Sequence, residues 1–181
     1  LTKVTIPDSV TSIGAYAFNN CSSLASISIP EGITSIHYGA FSGCSGLVSV
    51  DLPDSLATIG YAAFYQCASL KEFIMPNTVK TLKKKSDYDG SSSHDYSDTF
   101  YGCTSLKKMH FSDSLNVINR ATCYGCNNLV DIKLPANLTQ IYSYAFYQNR
   151  NLYKIEFPES LNSISTYAFS GCSNLHKVNF N

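Results

Sequence analysis

The sequence predicts a β-rich α/β solenoid of about eight coils, each about 23 residues long, with a parallel sheet along one side and short helical turns along the other. Three observations carry this. Leu1, Leu24, Leu47, Leu70, Leu106, Leu129, Leu152 and Leu175 recur at one constant interval, which widens only between Leu70 and Leu106. Each leucine opens the same short apolar alternation, closed in most copies by proline. Each repeat ends on an Ala-Phe pair, usually with a cysteine close behind. A fixed period of this length signals a stacked repeat architecture and overrides local readings.

The elements follow in chain order. Three residues after each leucine stands an apolar residue, such as Val4, Ile27, Val50, Phe73, Met109, Ile132, Ile155 or Val178, and two further on another, such as Ile6, Ile29, Leu52, Met75, Phe111, Leu134, Phe157 or Phe180. Alternation with polar residues is the period-2 signature of a strand with one buried face. Pro7, Pro30, Pro53, Pro76, Pro135 and Pro158 come next, and proline, lacking an N–H, ends each strand. Ser112 takes that place in one repeat. A second apolar pair, such as Val10 with Ile13 or Leu161 with Ile164, returns the chain to the core. The pairs Ala17-Phe18, Ala40-Phe41, Ala63-Phe64, Ala145-Phe146 and Ala168-Phe169 set a ring beside a small residue, which fits a tight helical turn. One unit cannot bury its own apolar face, so coils must stack into one domain spanning residues 1–181. The widened interval places an insertion of 13 residues within a loop at about 83–98.

Composition narrows function. Lysine plus arginine balances aspartate plus glutamate at 13 each, so no global field attracts nucleic acid or an anionic membrane. No run approaches the roughly 20 apolar residues that span a bilayer. The chain opens in mid-pattern and reads as part of a longer protein. Phosphate loops, nucleophile-base-acid orders and metal-ligand spacings are missing, and His37, His94, His110 and His176 are scattered, so neither an enzyme nor a cofactor is expected.

Cys21, Cys44, Cys67, Cys103, Cys126 and Cys172 share one repeat position. Stacked coils hold equivalent residues about 4.8 Å apart with parallel Cβ vectors, whereas disulfides prefer converging Cβ atoms at about 3.8 Å. Free, buried thiols donating weakly to carbonyls between coils are therefore expected. Cys123-x-x-Cys126 is a lone pair without a second matching half and does not read as a zinc site.

The unit Leu-x-x-Ile-x-Ile-Pro followed by Ile-Gly-x-x-Ala-Phe-x-x-Cys resembles the BspA-like, treponemal-type leucine-rich repeats over nearly the whole chain. Cys123 in place of phenylalanine and Asn149 in place of cysteine depart from it. The resemblance implies a right-handed superhelix with a concave sheet as its contact surface. It also implies a secreted or cell-surface adhesion module whose partner is a host or microbial surface protein.

In that sheet the residues between the buried ones face solvent, and those with chemistry to offer are Lys71, Glu72, Lys107, Lys108, His110, Asp131, Lys133, Tyr153, Lys154, Glu156 and His176. Complementary charges there fix register with a partner, although cross-strand pairs such as Lys133 with Glu156 are also ordinary solvated neighbours. The insertion adds Asp87, Tyr88, Asp89, His94, Asp95 and Tyr96. It reads first as a flexible solvated loop and otherwise as a partner contact. Its aspartates suggest calcium only faintly, because the glycine is misplaced and the closing glutamate missing. Two alternatives stand beside adhesion: a passive stalk or self-associating spacer, including a homodimer through the open solenoid ends, and a carbohydrate-binding module hinted at by Tyr153 near His176.

Overall fold

The computed structural model describes residues 2–90 and 95–180; Leu1 and His94, both singled out above, lie outside them. The chain is a parallel β-solenoid of about seven turns. Its main strands are β1 (Ser26–Ser28), β3 (Ser49–Asp51), β5 (Glu72–Ile74), β7 (Lys108–His110), β9 (Asp131–Lys133), β11 (Lys154–Phe157) and β13 (Lys177–Phe180). A second row consists of two-residue strands: β2 (Ser35–Ile36), β4 (Thr58–Ile59), β6 (Thr81–Leu82), β8 (Val117–Ile118), β10 (Gln140–Ile141) and β12 (Ser163–Ile164). The expected eighth coil is not completed, because the first repeat, which precedes β1, forms no strand among the described residues.

Register follows the repeat. Ser26 pairs with Ser49 and Lys154 with Lys177, each with its equivalent one repeat later. Glu72 pairs with Lys108 across the widened interval, so the inserted residues are absorbed outside the main sheet. The second row breaks at the same place, and there the buried Asn119 side chain donates Nδ2–H to the Leu82 carbonyl at 2.8 Å.

The repeating leucines Leu24, Leu47, Leu70, Leu106, Leu129 and Leu152 are fully buried, each removing apolar surface worth about 1.5–3 kcal/mol from water. The phenylalanines stack along the solenoid: Phe18 on Phe41 at 5.3 Å, Phe41 on Phe64 at 5.4 Å, Phe64 on Phe100 at 5.7 Å. Phe73 of β5 meets Phe64 and Phe100 edge-on at 4.9 and 4.6 Å, so the Ala-Phe segments lie across the core from the main sheet.

Those segments are turns, not the helical turns expected. Each coil carries two left-handed residues four apart: Ala62 and Gln66 (φ 51 and 55), Ala121 and Gly125 (φ 56 and 71), Tyr144 and Gln148 (φ 60 and 58). Left-handed residues twice per coil interrupt a right-handed helix, and turn N–H groups bond along the solenoid instead, as Phe64 N–H does to Thr99 O at 3.0 Å and Phe146 N–H to Ala168 O at 2.8 Å. Gly60 serves a close approach: a Cβ there would stand 2.5 Å from the Tyr38 nitrogen.

All seven cysteines are free, and five of the six that share one repeat position take the expected role, Cys21 being only half-buried. Cys44 donates its thiol to the Phe18 carbonyl at 3.0 Å; Cys67, Cys103, Cys126 and Cys172 reach Phe41, Phe64, Phe100 and Phe146 at 3.2 Å. Asn149 performs the same task with Nδ2–H to the Cys123 carbonyl at 2.9 Å. Burial pushes the Cys44 and Cys172 thiols up to about 11. Ser112 replaces the missing proline while keeping its turn: Leu115 N–H bonds its carbonyl at 3.2 Å and Ser114 N–H its hydroxyl at 3.1 Å.

The described part of the insertion is tied down on the turn side rather than solvated throughout. Residues Ser86–Asp89 form the helix α1, which ends on the left-handed Gly90. Asp95 accepts from Lys84 and Ser86, Lys85 N–H bonds Tyr96 O at 2.8 Å, and the Tyr88 ring lies 3.9 Å from that of Tyr38. Among the described residues no three His, Cys, Asp or Glu side chains converge as a metal site would require, and no helix is long and apolar enough to cross a membrane.

Candidate binding surfaces

One of the two rows of outward residues across β5, β7 and β9 alternates in charge. Glu72 is in register with Lys108, and Lys108 with Asp131, while Ile74, His110 and Lys133 form the next row. The strand pleat puts these side chains on one face, so each Lys108 neighbour in its row is a carboxylate. Lys71 and Lys107 precede the strands and are exposed. His110 Nε2 stands 3.4 Å from Asp131 Oδ1.

The expected pairing of Lys133 with Glu156 is not formed. Lys133 Nζ reaches Asp113 Oδ2 at 2.8 Å, and Glu156 Oε1 accepts from Lys154 at 2.5 Å on its own strand. β9 and β11 belong to different hydrogen-bonded sheets, so their residues are not in ladder register, whereas Asp113 reaches Lys133 from the turn after β7. The Lys133 ammonium in turn holds the Asp113 carboxyl below its usual value. Exposed pairs of this kind stabilise by only about 0–1 kcal/mol each, so their arrangement matters more for recognition than for folding.

His110, Lys133 and Glu156 do converge on one open groove of about 940 Å³, with Ile132, Leu134 and Pro158 in its apolar lining and Glu159 also in its wall. Tyr153 and His176 meet edge-on at 5.9 Å, further toward the C-terminal coil. The insertion is not brought to this face. Asp87 and Tyr88 line a smaller cleft, about 190 Å³, with His37, Tyr38 and Lys84 on the turn side.

Sequence reasoning missed the turn side. Tyr65 stacks on Tyr101 at 5.1 Å, Tyr101 on Tyr124 at 4.7 Å, and Tyr124 lies 4.7 Å from Tyr147, all from the position directly after the buried ring or, at Tyr124, after the Cys123 that replaces it. The signal was present, since Tyr101, Tyr124 and Tyr147 recur at the interval of the repeat itself. Beside this ladder the Arg120 guanidinium lies over the Tyr96 ring at 4.3 Å and the Tyr144 ring at 5.2 Å. Asp98 sits at a left-handed position, φ 45, and burial pushes its carboxyl up to about 6 against the pull of the Tyr61 hydroxyl, Arg120 and Lys85.

Comparison with known proteins agrees with this geometry. The pattern of the BspA type leucine-rich repeat region matches residues 1–92 and 96–181 in 6 copies. Among solved structures, the chain is similar to a leucine-rich repeat protein from Bacteroides ovatus, with 36% identity, a TM-score of 0.80, and coverage of 92% of this chain and 40% of that one. It is similar to the T. pallidum leucine-rich repeat protein at 26% identity and TM-score 0.77, over 92% of this chain and 72% of that one. A leucine-rich cell surface protein from Faecalibacterium prausnitzii shares the fold at 21% identity and TM-score 0.50, over 95% of this chain and 70% of that one. The chain thus spans less than half of the Bacteroides protein's length. No curated protein sequence matches it.

Proposed function

The chain belongs to the BspA-type leucine-rich-repeat family, and from that premise we propose that it is the protein-binding module of a cell-surface or secreted protein, gripping its partner through the C-terminal half of the main sheet. The observation that carries this reading is the groove shared by His110, Lys133 and Glu156. An apolar floor supplies area to bury, and flanking charges of both signs select a complementary partner and reject others. The alternating Glu72, Lys108, Asp131 row extends the same face toward the middle coils. A surface location is supported by the description of the Faecalibacterium relative as a cell surface protein.

The test is surface-plasmon binding of the whole chain to purified extracellular-matrix and cell-surface proteins, set against two variants. One carries alanine at Lys107, Lys108, Asp131 and Lys154; the other carries Lys133→Glu with Glu156→Lys. Saturable binding that weakens about 10-fold or more in both variants is expected, since close interfacial charges contribute about 2–5 kcal/mol when one partner is removed. Binding to no partner by a folded, monodisperse chain, or binding unchanged in both variants, refutes the reading and leaves the spacer role as its replacement.

A further inference from the structure

Where the insertion rejoins the solenoid, the turn side forms a groove of about 430 Å³ that the protein-binding reading does not use. Asp98 and Arg120 stand in it, with Tyr65, Tyr101, Tyr124 and Tyr144 among its walls. We propose that this groove is a binding site for a neutral saccharide of one or two rings, recognised by the Asp98 carboxylate, the Arg120 guanidinium and the phenolic hydroxyls of the tyrosine ladder.

Four features converge on that ligand class. The groove falls within the roughly 300–1,000 Å³ of small-molecule sites. It carries one carboxylate and one guanidinium, close enough that the Arg120 charge acts on Asp98. An anion is repelled by the first and a cation by the second, so the pair suits a neutral molecule rich in hydroxyls, whose O–H groups donate to a carboxylate and whose oxygens accept from N–H. The ladder rings stack on one another, which occupies their faces and leaves edges and hydroxyls for the groove. These are hydrogen-bonding groups at the spacing of the coils, not one apolar platform.

The fourth feature is an unspent donor. A guanidinium has five N–H groups; one bonds the Tyr96 hydroxyl at 3.0 Å, and Nε, shielded from solvent, has no hydrogen-bond partner among the described residues. Such orphaned donors are rare in folded proteins, and one held beside a groove marks a place not shaped for stability alone. The geometry is also particular to this place. The left-handed position held by Asp98 is occupied in other coils by Tyr16, Gly39, Ala62, Ala121, Tyr144 and Tyr167, none of them ionised at neutral pH. The insertion supplies the carboxylate and the second ring over Arg120, that of Tyr96.

The chain has 13 tyrosines and no tryptophan, so its own fluorescence is that of tyrosine, to which the ladder contributes. Titration of the whole chain with maltose, lactose, cellobiose and chitobiose at pH 7.5 is expected to give saturable binding of at least one, with Kd of about 0.1–10 mM. A sulfated and an aminated disaccharide bind at least 10-fold more weakly. Asp98→Asn, chosen because asparagine tolerates a left-handed backbone, and Arg120→Gln each weaken binding at least 10-fold, with far-ultraviolet circular dichroism unchanged. Alanine at Lys107, Lys108, Asp131 and Lys154 leaves it within twofold, which separates this site from the sheet. No neutral disaccharide bound up to about 10 mM, a charged one preferred, or a folded Asp98→Asn chain that binds as before overturns the proposal. Should Arg120→Gln not fold, Asp98→Asn alone decides it.

Discussion

Asn149→Cys should stabilise this protein, although it introduces an eighth cysteine. Asn149 is fully buried at the position where cysteine stands in the other complete coils. Its Nδ2–H meets the Cys123 carbonyl at 2.9 Å, but its Oδ1 is buried without a partner among the described residues. An unsatisfied buried acceptor costs about 1–3 kcal/mol. Cysteine retains a donor aimed at the same carbonyl, as the 3.2 Å thiol bonds of Cys126 and Cys172 show. The thiol is the weaker donor, and its bond sacrifices no more than about 1 kcal/mol of the amide's net contribution. The balance is a gain of about 1 kcal/mol, equivalent to about 2–4 °C in Tm for a chain of this size. Asn149→Ala removes the same orphaned oxygen but also strands the Cys123 carbonyl and opens a small void, for a loss of about 1 kcal/mol. Urea unfolding followed by circular dichroism, under reducing conditions and with equal m-values, ranks the three chains. Equal midpoints for the cysteine and alanine variants would refute the idea that this position exists to donate to the preceding coil.

Two further measurements probe titratable groups that are partly or fully buried. The Asp98 carboxyl is raised from 3.8 to about 6, so the folded state binds its proton more tightly than the unfolded one; its contribution is most favourable below pH 4 and is lost as pH rises toward 6. Asp98→Asn is therefore expected to raise stability at pH 7 by about 1–2 kcal/mol, discounted from the full shift for partial exposure, and to flatten the unfolding midpoint between pH 4 and 6; a midpoint that changes equally at both pH values contradicts the burial argument. A thiol reagent at pH 8 should modify the half-buried Cys21 first, while Cys44, Cys67, Cys103, Cys126 and Cys172, all buried and raised in pKa, react only on unfolding; fast reaction of more than one thiol in the native chain would contradict the ladder.

The core was legible because each repeat position answers to one physical demand. Leu70, Phe73 and Met75 fill the same layer in one coil as Leu47, Val50 and Leu52 in the one before, and alternation alone assigns their faces. The thiol ladder was legible for the same reason, since six cysteines at one position require one explanation. What the pattern did not reveal is how the turns are closed. An Ala-Phe pair is compatible with a helical turn or with two left-handed residues, and only the bonds along the solenoid, such as Cys123 N–H to Ala145 O at 2.8 Å, decide between them. Lys133 with Glu156 failed at a different level: an offset of one repeat implies ladder neighbours, but the main row breaks between β9 and β11, and each partner found a closer charge.

The two proposed sites differ in how they depart from the repeat. Sheet-face side chains are free of the core, so the repeat leaves Lys108, Asp131 or Lys154 unconstrained, and their charges vary without cost to folding; a surface of that kind is suited to changing its protein partner. The turn side is constrained twice per coil by left-handed backbone, and there Asp98, unlike the residues at the same position of other coils, carries a half-buried carboxyl that folding does not need. Native proteins hold such features where surrounding structure over-determines them, and they cluster at functional sites. That stability cost, absent from the sheet face, is the physical reason to look for a defined small ligand at Asp98 and Arg120 and for a broad protein contact at His110, Lys133 and Glu156.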